Sequence, residues 1–306
     1  MAKKEHFINK QNDSMMSIYK DKATIEAAFF QHSVLCQTFL PYRNPGDDCK
    51  LWQQSQGKAQ LAISCTPVLN PANDKYELAG IPYGTKARLI LAHINTQAIK
   101  TQSKTIDVED SMTAFIKSIG LATDGRTIRE VKEQLRRLSA STLSVGFVDG
   151  ARAVQVDFKI VKAFDLWFPK DDSQRVLWPS TVVLSDDYFN SLIIHAIPLD
   201  ERALAALSNN AMAMDIYSWL AQRLHRITPG KPQFITWQAL KDQFGQGYER
   251  MDHFKEVFRK TLHMSLKQYP NALTRVEEVH NKGFNLSYTQ PPILARNLIH
   301  LESKPS

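Results

Sequence analysis

Two stretches of the chain put cations on one side of a helix and apolar residues on the other, the arrangement that lets a protein grip a polyanion while staying anchored to its own core. In GRTIREVKEQLRRL (125–138), a turn of about 100° per residue gathers Ile128, Val131, Leu135 and Leu138 on one face. Arg126, Arg129, Lys132, Arg136 and Arg137 fall broadly opposite, and only Glu133 interrupts them. In YERMDHFKEVFRKTLHMSL (248–266), Met251, Phe254, Val257, Phe258 and Leu262 form the apolar stripe. Lys255, Arg259, Lys260, His263 and the following Lys267 occupy the other side, with Arg250 and His253 at its start. Arginine suits this chemistry because its planar fork matches both a phosphate and the O6/N7 edge of guanine. A charged helix face is most often merely solvated. A second one at the equivalent place in the other half of the chain points to DNA.

The surrounding elements give these helices their places. Residues 84–99 read as a long apolar-periodic helix, SKTID (103–107) as a short strand, 108–120 as a helix stopped by Gly120, and 125–138 as a third helix opened by a Thr127-x-x-Glu130 capping box. STLSVGF and AVQVDFKIVKAF follow as two strands joined across Val148-Asp149-Gly150-Ala151, where Asp-Gly favours a hairpin. The order then repeats: helix 210–227, strand QFIT (233–236), helix 237–245, helix 248–266, and a hairpin across Asn281-Lys282-Gly283. Helix, strand, helix, helix, hairpin is the order of a winged helix, whose third helix enters the major groove. The expected fold is therefore α+β, mainly helical, with two tandem winged-helix domains. The expected boundaries are an N-terminal extension over 1–75, domains over 76–200 and 201–292, and a tail over 293–306. Residues 22–40 of the extension read as a helix packed on the first domain, and 175–200 as a strand and short helix completing that domain. Arg152 and Lys282 at the hairpin tips are placed to reach phosphate or the minor groove. Ile81-Pro82-Tyr83-Gly84 needs no ligand, because Pro fixes φ and Gly frees it at a tight approach to the first helix.

Composition narrows the function further. With 306 residues the chain has room for about two domains, and its 43% hydrophobic and 23% charged residues are ordinary for globular proteins. Lys and Arg outnumber Asp and Glu by 38 to 31, a net charge of +7 that favours an anionic partner. Cys36, Cys49 and Cys65 show no C-x-x-C spacing and read as reduced thiols. Neither a secretory h-region nor a membrane span of about 18 apolar residues is present in the sequence, so the expected location is the bacterial cytoplasm without membrane association. Enzyme signatures are lacking: PGKP around Lys231 is no phosphate loop, GQGYER (245–250) lacks the third glycine of a dinucleotide motif, and the nine histidines fall in no ligand spacing. The expectation is a non-enzymatic DNA-binding protein with no cofactor and no metal.

Longer strings carry a family likeness. LAGIPYGTKARLILAHINTQAIKTQSKTIDVEDSMTAFIKSIGLATDGRTIREVKEQLRRLSASTLSV (78–145) resembles the core of the plasmid-encoded RepA replication initiators, and FLPYRNPGD (39–47) is similar to their N-terminal signature. LSDDYFNSLIIHAIPLD and AMAMDIYSWLAQRL resemble the same family's strings before and within its second winged helix. The resemblance implies an iteron-type initiator that binds repeated sites at a plasmid origin, helps open the duplex and recruits host proteins such as the replicative helicase and initiator. It also implies that Arg250, His253, Lys255, Arg259 and Lys260 are the main base readers, while the first domain's helix adds contacts or supports a homodimer. A winged-helix transcription regulator, acting as repressor of its own gene, is the alternative that shares the same interface.

Overall fold

The computed structural model describes residues 12–21, 24–70, 74–107, 111–149, 151–159 and 181–294, and they form a mixed α and β protein. The chain folds as two compact units, one of residues 38–196 and one joining residues 1–37 to 197–306. At the N-terminus, helix α1 covers 12–20. The helix expected over 22–40 is absent: strand β1 (Ala28–His32) and a 3-10 turn (Ser33–Cys36) occupy its centre. All five residues of β1, the polar Gln31 and His32 included, are buried, so the segment has no exposed face for either period to reveal, and the β-like Ala-Phe-Phe core decides.

The central unit, residues 38–196, runs in chain order through β2 (Leu51–Gln56), β3 (Ala59–Cys65), the ladder β4 (Pro67–Asn70) with β5 (Lys75–Leu78), and helix α2 (Gly84–Thr101). It continues with β6 (Thr105–Asp107), α3 (Met112–Ser118), α4 (Gly125–Ser139), the hairpin β7 (Ser141–Asp149) and β8 (Arg152–Lys159), β9 (Thr181–Val183) and α5 (Asp186–His195). Four strands make an antiparallel sheet in the order β2-β3-β7-β8. Along β3 the side chains alternate, Ala59, Leu61, Ile63 and Cys65 inward, as the two-residue period of a strand requires. Helix α2 is buried from Ala87 to Thr96, and its apolar side joins Phe115, Ile116, Val131 and Leu138 in the core.

Three local details depart from the sequence reading or refine it. Helix α4 is capped by Asp124, whose carboxylate accepts from the Thr127 amide at 2.9 Å, so the Thr127–Glu130 box is not formed. Glu130 instead pairs with Lys86 and Arg126. Strand β6 pairs with β9 and lies in a sheet separate from the β7–β8 hairpin. The Ile81–Gly84 string does serve as the tight approach to α2: Gly84 takes φ 73° at its first position, and the Tyr83 amide donates to Gln134 Oε1 at 2.8 Å.

Within α2, His93 is buried and stands edge-on to Phe115 with centroids 5.3 Å apart. Burial lowers its pKa from 6.5 to about 4, with the Lys100 charge adding to the effect. The unfolded chain therefore binds a proton more readily than the folded one between these values, and stability falls as pH drops from about 6.5 toward 4. Urea unfolding followed at pH 7 and pH 4.5 is expected to show that loss, and His93→Gln to shrink it.

The other unit, which already holds α1 and β1, continues with β10 (Ala196–Asp200), which pairs with β1, and α6 (Glu201–Leu207). Arg202 binds Asp200 at 2.7 Å and also donates to Ser17 Oγ and the Asp21 carbonyl, both at 3.0 Å, which fastens α1 to this unit. Helix α7 (Ala211–Arg223) is buried from Ala211 to Gln222 and forms the centre of the unit. After it come β11 (Gln233–Thr236), α8 (Trp237–Phe244), α9 (Met251–Lys267), β12 (Val276–Val279) and β13 (Gly283–Leu286). The three strands form a sheet in the order β11-β13-β12, so the short strand before α8 lies against the hairpin that follows α9.

Candidate nucleic-acid interface

The charged flank of α9 is held in place by the aromatic residues beneath it. Thr236 caps α8 by accepting from the Ala239 amide at 3.1 Å, and Gly245 ends that helix. The link of residues 245–250 then turns the chain, using a positive φ of 75° at Gly247. Helix α9 buries Phe254, Phe258, Thr261, Leu262, Ser265 and Leu266. Trp237 meets Phe254, Phe258 and Phe284 edge-on at centroid distances of 6.2, 5.7 and 5.1 Å, so one indole locks α8, α9 and the hairpin together. Ser265 Oγ donates to the Ala213 carbonyl at 2.8 Å and ties α9 to α7.

The opposite side of α9 carries the expected cations, and three of them, Arg250, Arg259 and Lys260, have acidic partners. Arg259 donates from Nε to Glu278 Oε2 at 2.9 Å and from Nη2 to Glu278 Oε1 at 2.6 Å, a side-on bidentate pair. Its Nη2 also reaches Asn281 Oδ1 at 3.0 Å, and its guanidinium lies 4.9 Å from the centre of the Trp237 ring. The hydrogen bond from Arg259 holds the Glu278 carboxyl below the usual range, and Glu278 in turn raises Arg259. Lys255 donates to Asn281 Oδ1 at 3.2 Å and lies 5.5 Å from the same indole. Lys260 pairs with Glu256, and Arg250 with Asp252, whose carboxyl is held down to about 2 by that contact. His253 and His263 are exposed, and His253 stands 5.4 Å from the Tyr248 ring.

The hairpin tip is shifted by one residue from the sequence reading. Its loop is His280-Asn281-Lys282, between the paired Val279 and Gly283. His280 and Asn281 take φ of 34° and 60°, and the Lys282 amide donates to the Val279 carbonyl at 2.7 Å. Lys282 is exposed beside Asn281, which faces back to α9. Gly283 has no alternative, because a Cβ there would sit 1.9 Å from the Ile235 carbonyl oxygen.

On α4 of the central unit the expected cations divide. Arg126, Arg129 and Lys132 are exposed or nearly so; Arg126 pairs with Glu130, while Arg129 and Lys132 have no ion pair among the described residues. Arg136 is half-buried, paired with Glu133 and donating to the Ala79 carbonyl at 3.1 Å. Arg137, expected to face DNA, is turned inward with 4% of its side chain exposed. It pairs with Asp47 at 2.7 Å and Glu133 at 2.6 Å, donates to Asn44 and to the Ile81 carbonyl, and lies 5.0 Å from the centre of the Tyr83 ring. With every edge of its guanidinium occupied by Glu133 and by the 44–47 and 79–83 loops, it is a structural clasp and leaves the set of candidate DNA contacts. Arg152 is exposed at the start of β8, opposite Asp149 in the ladder.

Sequence reasoning missed the acidic and amide partners, Glu278 and Asn281 above all. The Glu256–Lys260 spacing of four was legible on the helix, but the Arg259–Glu278 pair depends on how the hairpin lies against α9.

Among the described residues no helix is long and apolar enough to cross a membrane, and no group of three or more His, Cys, Asp or Glu is placed to hold a metal ion. Comparison with solved structures finds two crystal structures of domains 2 and 3 of RctB, each 10% identical in sequence. One has a TM-score of 0.48 and aligns 81% of this chain with 94% of that chain; the other has 0.45, with 83% and 94%. No curated protein sequence matches the chain. The family model for the plasmid-encoded RepA protein matches residues 81–239, from the approach to α2 through the start of α8, leaving α9 and its hairpin beyond the match. That match takes in just over half of the 306 residues, and the chain belongs to the family of plasmid-encoded RepA replication initiators.

Proposed function

We propose that this RepA-family chain initiates replication as a non-enzymatic, sequence-specific binder of double-stranded DNA, and that residues 211–286 fold as a winged helix whose α9 reads bases in the major groove. The observation that carries this is the succession α7, β11, α8, α9 and hairpin, with β11 paired to the hairpin and a charged flank of α9 beside it. A third helix supported in this way is the element that winged-helix and helix-turn-helix proteins insert into DNA. In the central unit α2, α3, α4 and the β7–β8 hairpin repeat the order of elements, but β6 pairs with β9 and β7 also pairs with β3, so α4 offers a second DNA-contacting face without the strand-to-hairpin support that α9 has. Its Arg129 and Lys132 release counterions from phosphate, which adds affinity without sequence preference. Bound at repeated origin sites, the protein strains the adjacent duplex and brings in host replication proteins.

Hydroxyl-radical footprinting on the protein's own replicon tests this reading. Protection of a series of direct repeats beside an AT-rich stretch is expected. A footprint confined to an inverted repeat at a promoter would favour the regulator, and uniform protection would contradict sequence-specific binding. Relaxation of supercoiled plasmid by protein and Mg²⁺ would contradict the non-enzymatic assignment. The double substitution Arg129→Ala, Lys132→Ala is expected to weaken binding to all sequences alike. It should also lower the slope of log K against log salt by about 2, near 0.9 for each phosphate that is no longer neutralised. A binding assay across a salt series, run on cognate and random fragments, reads both effects.

A further inference from the structure

A carboxylate on a surface that meets DNA repels the phosphates, so its presence needs a reason. Glu278 lies on β12 with its carboxylate against Arg259 of α9, and the two make a side-on pair through Nε and Nη2. That pair uses one hydrogen on each nitrogen. The end of the fork, made of Nη1 and the second Nη2 hydrogen, points away from Glu278. Asn281 Oδ1 takes that Nη2 hydrogen at 3.0 Å, and Nη1 has no hydrogen-bond partner among the described residues. Trp237 supports the guanidinium from one side, 4.9 Å from its ring centre. The arginine is thus fixed in plane with its end edge one weak, exchangeable contact away from being free, and Lys255 stands at 3.2 Å from Asn281 to keep that amide occupied once it is displaced.

We propose that Glu278 is a positioning residue that commits Arg259 to the O6/N7 edge of a guanine rather than to phosphate, an inference that rests on the reading of α9 as the base-contacting helix. A phosphate brought to the same fork would meet the Glu278 charge, whereas guanine is neutral and offers two acceptors at the spacing of the free end. The carboxylate therefore holds the fork in register and penalises non-specific contact with the backbone. Glu278 lies on the hairpin, so the wing takes part in specificity through α9 without touching a base itself.

The test compares wild type, Glu278→Gln, Arg259→Ala and the double variant on a footprinted repeat, on random DNA of equal length, and on repeats with single guanines replaced by 7-deazaguanine, which lacks the N7 acceptor. In wild type, one 7-deazaguanine per repeat is expected to weaken binding roughly five- to tenfold. Glu278→Gln is expected to weaken the intact repeat by a similar factor, to leave random DNA bound as well as before or better, and to shrink the 7-deazaguanine penalty. Added to Arg259→Ala it is expected to change nothing on the repeat. Equal tightening on repeat and random DNA would overturn the proposal, leaving Glu278 as a repulsive charge only. Equal weakening on both with a lower unfolding midpoint would overturn it in favour of a structural role. Failure of wild type to distinguish repeat from random DNA would remove the base-reading function together with this inference, an outcome visible before any variant is compared.

Discussion

Arg137→Ala is expected to lower the unfolding free energy of the central unit by about 3 kcal/mol, the low end for breaking a buried ion pair because Asp47 on one side is 74% exposed and screened. The side chain joins three parts of the unit. Helix α4 supplies it together with Glu133, the 44–47 loop supplies Asn44 and Asp47, and the loop before α2 supplies the Ile81 carbonyl and the Tyr83 ring. Gly80 completes the fit: at φ 81° its Cβ position would lie 2.4 Å from Arg137 Nη1, so only glycine lets the guanidinium through. Removing Arg137 deprives Glu133 of its 2.6 Å contact and frees the loop that holds FLPYRNPGD. Arg88 fastens the same loop through the Leu40 and Pro41 carbonyls at 2.7 and 3.3 Å, so the unit loosens without coming apart. Lysine is not expected to substitute, having a point charge in place of the fork. Urea unfolding checks the loss. Unchanged stability with impaired discrimination between DNA sequences would return Arg137 to the interface.

Arg259→Ala is expected to cost about 1–3 kcal/mol on the cognate site and to relax the preference at one base pair of each repeat. The guanidinium sits over Trp237 but is 42% exposed, and its partners Glu278 and Asn281 lie on the hairpin surface. Truncation therefore removes little core packing, and the unfolding midpoint should move far less than for Arg137→Ala. A set of fragments with each position of the repeat varied in turn, titrated with both proteins, reads the result. Equal weakening on every fragment would make Arg259 a phosphate contact.

These two arginines also mark where the sequence was and was not informative. Helical periodicity placed α4 and α9 correctly and identified their inner faces, since Val131, Leu135, Leu138, Phe254, Phe258 and Leu262 are all buried. The same wheel assigns Arg137 to the outer side. In the fold the inner face is wider and takes in Gln134 and Arg137, because Glu133, Asp47 and a backbone carbonyl neutralise and satisfy a cation that would otherwise be too costly to bury. Those partners are up to 90 residues away in the chain, and nothing in local spacing reveals them. The hairpins were legible from Asp-Gly and Asn-Lys-Gly signals, but which strand each one pairs with was not. The first short strand, β6, finds β9, whereas β11 finds β13. The fully buried β1 reads as helix in the sequence because burial of every residue, Gln31 and His32 included, leaves no exposed face to set a period.

The central claim is that this RepA-family chain recognises particular DNA sequences rather than DNA in general. Equilibrium binding of the purified protein to tiled fragments of its own replicon, against random DNA of equal length across a salt series, tests it most directly. The account predicts that overall affinity falls log-linearly with salt while fragments carrying direct repeats keep their preference, because the base contacts of α9 add to a phosphate term that salt alone erodes. Equal binding to all fragments, vanishing together as salt rises, would contradict it.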